Sequence, residues 1–206
     1  MIITWYGHSC FLVETDEGSV VFDPYEPGSV PGLTLPPLSA DAVICSHGHG
    51  DHNYAEAVSI LDAGRKLSFR QIPCKHDSVG GRLRGENRIT AFTAENMRVA
   101  HLGDLGHLLT DAQRRELGEV DILMIPVGGF FTIDAGQAYE TVSAIRPKIV
   151  IPMHYRKGSV GYKVIGKVDP FLKYFPKESI RFLETPSVEI KGMEDGQTVL
   201  VFPTPA

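Results

Sequence analysis

The stretch Ile44-Cys45-Ser46-His47-Gly48-His49-Gly50-Asp51-His52 puts four metal-binding side chains into six consecutive positions. Three imidazoles and a carboxylate so close together form a donor set for a divalent transition metal. His47 and His49 can aim two imidazoles at one ion, while Asp51 and His52, just past the turn, can serve a second ion close by. Neutral imidazoles with a carboxylate at an open-sided site are the ligands of catalytic zinc, with iron or manganese as alternatives. Gly48 and Gly50 alternate with the donors, and their tolerance of positive φ is expected to let the backbone curl.

Such a loop has to be anchored. Asp41 to Cys45 reads as a short buried strand, so the donors lie at its C-terminal end, where open α/β layers place their ligands. Beyond the loop, Asn53 and Glu56 have capping-box spacing, which predicts a helix from about Tyr54 to Ala63, stopped by Gly64. Upstream, Ile2 to Tyr6, Cys10 to Thr15 and Ser19 to Phe22 read as a three-stranded meander ending at Asp23. Downstream, strands are expected at Lys66 to Cys74, Arg88 to Thr93, Met97 to Leu102, Asp121 to Pro126 and Lys148 to Pro152. Thr110 with Gln113, and Asp134 with Gln137, have the spacing of two further capping boxes. Three of these units deliver a polar residue at a strand's end: His76, Asp104 and His154. Ser78 to Glu86 reads as a mobile segment and Arg156 to Gly166 as an insertion. Asp169-Pro170 opens a short helix, and Ile180 to Leu183, Ser187 to Ile190 and Thr198 to Phe202 close the chain as strands.

Length and composition set the frame. The 206 residues fit one domain over 1–206, and 43% apolar with 22% charged residues is ordinary for a globular protein. Twenty Lys and Arg against 25 Asp and Glu give −5, which argues against a nucleic-acid surface. No run of about 18 apolar residues and no basic leader occurs, so the expectation is a cytoplasmic protein without a membrane partner. Cys10, Cys45 and Cys74 are an odd number without framework spacing, so disulfides are not expected.

His47-Gly48-His49-Gly50-Asp51-His52 resembles the His-x-His-x-Asp-His signature of the metallo-β-lactamase superfamily of binuclear metal hydrolases. Gly7-His8-Ser9-Cys10-Phe11-Leu12-Val13-Glu14 and Pro152-Met153-His154-Tyr155 resemble the branch that contains L-ascorbate-6-phosphate lactonase-like proteins. The resemblance spans residues 1 to about 155. It implies a four-layer αββα sandwich of two mixed sheets, where periodicity alone supports only an α/β class. It further implies His47, His49 and His76 on a first ion, Asp51, His52 and His154 on a second, and Asp104 bridging. His101 and His107 compete with His76 for the third place, but His101, three residues before Asp104 on a strand, should face the other way. Leu105 follows Asp104 where the family often has Thr.

The activity implied is hydrolysis of an ester, lactone or phosphodiester by a metal-bound hydroxide, with two zinc ions, and with Asp51 or Asp104 holding the proton of the water. His8 either protonates a leaving group near the cleft or makes a structural hydrogen bond. Asp23 is a candidate to orient a ligand imidazole. Flavodiiron relatives usually carry Glu where this chain has His49, and the RNA-processing branch has an inserted domain that has no room here. The rival readings are a non-catalytic metal-binding or regulatory module and an iron-dependent oxidoreductase. The expected partner is a small-molecule substrate, an anionic one being compatible with Lys75, Arg82, Arg84, Tyr155, Arg156 and Lys157 near the site segments. Gly158 to Gly166 is expected as a cleft wall or an oligomer contact.

Overall fold

The computed structural model describes residues 1–61, 64, 67–193 and 195–204. Strands β1 (Ile2–Gly7), β2 (Cys10–Thr15), β3 (Gly18–Phe22), β4 (Leu38–Ala40) and β5 (Ala42–Ile44) precede the His-rich loop, and β6 (Val58–Ile60) follows it. Next come β7 (Phe69–Lys75), β8 (Glu86–Ala94), β9 (Met97–His101), helix α1 (Asp111–Leu117), β10 (Ile122–Pro126), helix α2 (Ala135–Ile145) and β11 (Ile149–Met153). The chain closes with helix α3 (Asp169–Leu172), β12 (Ile180–Phe182), β13 (Ser187–Glu189) and β14 (Thr198–Val201).

Two mixed sheets carry the architecture. One has the order β13-β1-β2-β3-β5 and the other β12-β14-β11-β10-β9-β8-β7, as the αββα resemblance implies. Period-two alternation sorts the first sheet's faces: Ile3, Trp5, Phe11, Val13, Val20 and Phe22 enter the main core, while Cys10 and Val21 face outward. β10 is buried along its whole length, as expected of a central strand with parallel partners β9 and β11. Both downstream helices start where their capping boxes put them, at Thr110/Gln113 and Asp134/Gln137, and Leu117, Ala138 and Val142 dock them on the core. No helix among the described residues is long and apolar enough to cross a membrane.

The helix expected from Tyr54 does not form. Ala55–Ala57 make one 3-10 turn without a side-chain cap, and the chain then extends as β6, parallel to β4. β-branched Val58 and Ile60 suit a strand, and the pairing buries Val58 with Tyr25, Val30 and Leu33 over the outer face of the first sheet. Tertiary burial therefore outweighs a local capping signal. Asp62 and Ala63, the end of that expected helix, and Lys66, the expected start of β7, lie outside the described residues.

Strand direction is what positions the site. β1, β3 and β5 run one way in the first sheet, and β7, β9, β10 and β11 run one way in the second. His8 follows β1, Asp23 follows β3, the His-rich loop follows β5, His76 follows β7, Asp104 comes shortly after β9 and His154 follows β11. Six C-terminal strand ends thus release polar side chains at one edge of the sandwich.

Candidate metal centre

The donors meet in three overlapping groups: His47, His49 and His76; His8, Asp51, His52 and His154; and His47, His52 and Asp104. Asp104 touches both of the other groups, the three-histidine one and the four-residue one. Its Oδ2 lies 3.2 Å from His76 Nε2 and 3.1 Å from His154 Nε2, and its Oδ1 lies 3.3 Å from His52 Nε2. His52 Nε2 also stands 3.7 Å from Asp51 Oδ2. The buried atoms His47 Nε2, His52 Nε2, His154 Nε2 and Asp104 Oδ1 make no hydrogen bond. Buried polar atoms are normally satisfied, so lone pairs converging at these distances without hydrogen-bond geometry fit a cation between them.

The tautomers agree. Asp23 is fully buried, and its Oδ1 accepts from Ser46 N at 2.7 Å while its Oδ2 accepts from Ser46 Oγ at 2.7 Å and from His52 Nδ1 at 2.8 Å. With its hydroxyl proton on Asp23, Ser46 Oγ accepts from His47 Nδ1 at 3.0 Å. Both imidazoles then keep a proton on Nδ1, which leaves Nε2 as the atom that would ligate a cation in place of a second proton, the arrangement that metal-ligating histidines use.

Backbone geometry aims the other donors. His8, Asp23 and His154 have φ of 52°, 44° and 52°, a left-handed conformation that turns each side chain sharply off its strand end. Such residues cost about 1–3 kcal/mol each and persist where the surroundings over-determine them. His8 O accepts from both Trp5 Nε1 and His154 N, which brings the centroids of the two histidine rings to 4.1 Å with their planes tilted by 43°. Gly106 lies against the His76–Asp77 backbone and Gly128 against His154 O, where a Cβ would stand 2.2 Å and 2.1 Å from main-chain atoms. The His-rich loop departs from expectation in one respect: neither Gly48 nor Gly50 takes a positive φ. The Glu26 carboxylate packs over Gly50, and Glu26 N donates to Gly50 O at 2.8 Å.

Burial and mutual repulsion favour the neutral form of His8, His47 and His49. Burial, reinforced by His154, lowers His8 to about 4, and burial with His52 lowers His47 to about 3. His52 is the exception: burial opposes its charged form, but Asp104 and Asp23 outweigh burial and raise it well above the usual histidine value. Burial likewise opposes ionised Asp104, yet His154 and His52 hold it well below the carboxylate range. Burial, with Asp23, pushes the Cys45 thiol up to about 12, so it stays a thiol beside His47.

The segment after His76, expected to be mobile, is tied down. Asp77 Oδ1 accepts from Val79 N and Gly81 N, and its Oδ2 from Leu83 N and Arg84 N, at 2.8–2.9 Å. His76 N donates to Gly85 O at 3.1 Å, closing the loop on itself. These amides outweigh the burial penalty and lower the Asp77 pKa from 3.8. A depressed carboxylate contributes its stabilisation above its unfolded pKa and loses it as pH falls through the folded value, so the loop should stay ordered at neutral pH and loosen only in strong acid. Asp77→Ala should expose the loop at neutral pH, with trypsin cutting after Arg82 or Arg84 at least about tenfold faster than in the parent. Unchanged cleavage would show that the four amides do not order the loop.

The remaining sequence candidates separate cleanly. His101 is buried with Nε2 on Ser9 O at 2.9 Å and its ring stacked 4.9 Å from Phe22, on the core side of β9. His107 accepts from Lys75 N and bonds Leu108 O. Tyr155, placed near substrate by sequence, is instead in the core, its ring 5.6 Å from Trp5. Lys75 pairs with Glu86, Lys157 donates to Phe202 O, and Arg82 donates to Val79 O. Arg84 alone of that basic set lines the cavity over His49, Asp51, His76 and Asp104, joined by Phe131 and Tyr162. Tyr162 OH donates to Ser29 O at 2.7 Å and also lies 3.2 Å from Asp51 Oδ2, so Tyr162 is the residue of Gly158 to Gly166 that lines the cavity. Asn87 is a further support absent from the sequence reading: it donates to Leu102 O at 2.9 Å and accepts from Asp104 N at 3.0 Å.

Comparison with known proteins agrees with the fold. The profile of the β-lactamase superfamily domain matches residues 2–154. A crystal structure from Thermotoga maritima, assigned to the Zn-dependent hydrolases of the metallo-β-lactamase superfamily, superposes with a TM-score of 0.76 at 31% identity, covering 98% of this chain and 97% of that one. A UPF0173 metal-dependent hydrolase of Carboxydothermus hydrogenoformans is 28% identical, over 81% of this chain and 90% of its own. A UPF0173 protein of Pyrococcus furiosus is 32% identical, over 75% and 83%. The chain belongs to the β-lactamase superfamily and stands among its metal-dependent hydrolases.

Proposed function

We propose that this protein is a binuclear hydrolase, zinc being the first candidate metal, which cleaves an ester, lactone or phosphodiester bond. The observation that carries this is the placing of Asp104 within 3.1–3.3 Å of His76, His154 and His52, between the three-histidine group and the four-residue group. His47, His49 and His76 would hold one ion, Asp51, His52 and His154 the other, and Asp104 would serve both. Ions so held supply the acidity that makes hydroxide available near pH 7 and the charge that polarises a substrate oxygen.

The chain's own residues do the rest. Asp104 and Asp51 are the carboxylates able to hold the proton of the attacking water, and Asp51 sits on the open side of the site. His8 Nε2, 3.3 Å from Asp51 Oδ2, fixes that carboxylate together with Tyr162. With a pKa near 4, His8 is neutral at pH 7 and is better suited to positioning Asp51 than to protonating a leaving group. A serine nucleophile is disfavoured, because Ser46 Oγ is committed to Asp23 and His47 while Ser9 is fully buried. The lactonase-like resemblance favours a lactone among the possible bonds. Three free cysteines accord with a reducing, cytoplasmic setting.

Elemental analysis combined with a panel of lactones, thioesters and phosphodiesters tests the reading. Two ions per chain, turnover abolished by chelation and restored by zinc, is the expected result. Bound metal without hydrolysis across the panel would favour the non-catalytic module, and strong visible absorbance with oxygen uptake would favour an iron oxidoreductase.

A further inference from the structure

Besides the candidate ligands, three side chains line the cavity over the metal centre: Arg84, Phe131 and Tyr162. The cavity holds about 240 Å³, below the ~300–1,000 Å³ of pockets for drug-sized ligands, so it suits a small molecule. A neighbouring groove of about 550 Å³ includes His47 and Arg88 and meets the cavity at His49 and Arg84. Arg84 therefore stands at the junction of the two spaces.

Three features make Arg84 more than a surface cation. Its guanidinium has no carboxylate partner among the described residues, although the cavity floor is acidic; its contacts are the rings of Phe131 and Phe130, with centroids 5.5 Å and 5.9 Å away. Its backbone is fixed, since Arg84 N donates to Asp77 and the loop closes through Gly85 O on His76, a candidate ligand. The aromatic wall is itself held under strain: Phe130 has φ of 60° and remains 62% exposed. A bulky side chain with positive φ is a genuine outlier and is retained where the surroundings impose it. A guanidinium lying against aromatic rings, with no carboxylate partner among the described residues, retains N–H donors in the planar fork that suits a two-oxygen anion.

We propose that Arg84 is the anion-recognition residue of this site, and that the substrate is a small molecule carrying a carboxylate or phosphate group apart from the bond that is cleaved. The proposal rests on the hydrolase reading for the cleavage but not for the binding. The anion docks on Arg84, whose guanidinium lies against Phe130 and Phe131. The reacting group lies over Asp51 and Asp104, beneath Tyr162. An anion held there also offsets the one cation on the cavity wall that lacks an ionic partner.

Calorimetric titration tests this with protein as purified, its metal content recorded, using phenyl phosphate and benzoate as the anionic probes and benzyl alcohol as the neutral one. At least one anion should bind about tenfold or more tightly than benzyl alcohol. Arg84→Ala should weaken that anion about 10- to 100-fold, and Arg84→Lys, which keeps charge but not the fork, should fall between. Weakening of phenyl phosphate alone assigns a phosphate, and weakening of benzoate alone assigns a carboxylate. Equal anion affinity in the parent, Arg84→Ala and Arg84→Gln overturns the proposal, as does the absence of any preference for anions over the alcohol. Failure of the hydrolase reading would show separately, as absent metal or absent turnover in protein that still binds the anion through Arg84.

Discussion

Asp104→Ala should lower kcat about a thousandfold or more while leaving the fold intact, a loss of ~4 kcal/mol of transition-state stabilisation. Its carboxylate oxygens approach imidazoles of both the three-histidine group and the four-residue group, with Oδ2 near His76 and His154 and Oδ1 near His52. Removing it separates the two groups electrostatically as well as deleting a donor. Bound metal should therefore fall below two ions per chain together with the rate. The main chain has independent support: Asp104 N donates to Asn87, and Gly103 packs against Asn87 and Ser46 so closely that a Cβ would clash. Circular dichroism and a thermal melt should accordingly stay near the parent's. Asp104→Asn, which keeps the shape and loses the charge, should be nearly as inactive. An unchanged kcat in either variant would remove Asp104 from the mechanism.

Asp23→Ala should cost about 3–5 kcal/mol of stability, the usual consequence of deleting one partner of a buried charged network. Three hydrogen bonds end on this carboxylate, from Ser46 N, Ser46 Oγ and His52 Nδ1. Without it His52 is no longer held in its tautomer and Ser46 no longer orients His47, so metal affinity should fall about 10- to 100-fold. Asp23→Asn should be milder, since Asn tolerates the 44° φ at this position and can still accept from Ser46 N. Urea denaturation reads the first effect, and titration against a competing chelator reads the second. Parent-like metal affinity in Asp23→Ala would show that the ring of His52 needs no such partner.

Much of this arrangement is legible in the sequence because the donors sit directly after strands with strong apolar patterning. His76, His154 and the His-rich loop are named by such positions, and the two downstream helices by their capping boxes. What escapes is what depends on distant chain. The Asn53/Glu56 spacing imitates a helix start, but β4 lies some twenty residues upstream and its pairing with Val58–Ile60 decides the outcome. Asn87, Phe131 and Tyr162 carry no local signal, since each reaches the site only through the sandwich. Tyr155 reads as part of the cleft from its neighbour His154, yet the alternation along the strand exit sends it to Trp5 in the core. A closer reading of that alternation is the signal that could have placed it.

The donors are divided between the two sheets, and the division is unequal in time. His8, His47, His49, Asp51 and His52 leave the first sheet, while His76, Asp104 and His154 leave the second. An ion held by His47, His49 and His76, or by Asp51, His52 and His154, would thus be a cross-link between halves of the molecule, resisting their separation. During synthesis a nascent chain that stops before β11 already has the imidazoles of one group but lacks His154 of the other. On the binuclear reading the two positions would become equals only once the last parallel strands have docked, and full loading with metal would mark the completion of the fold.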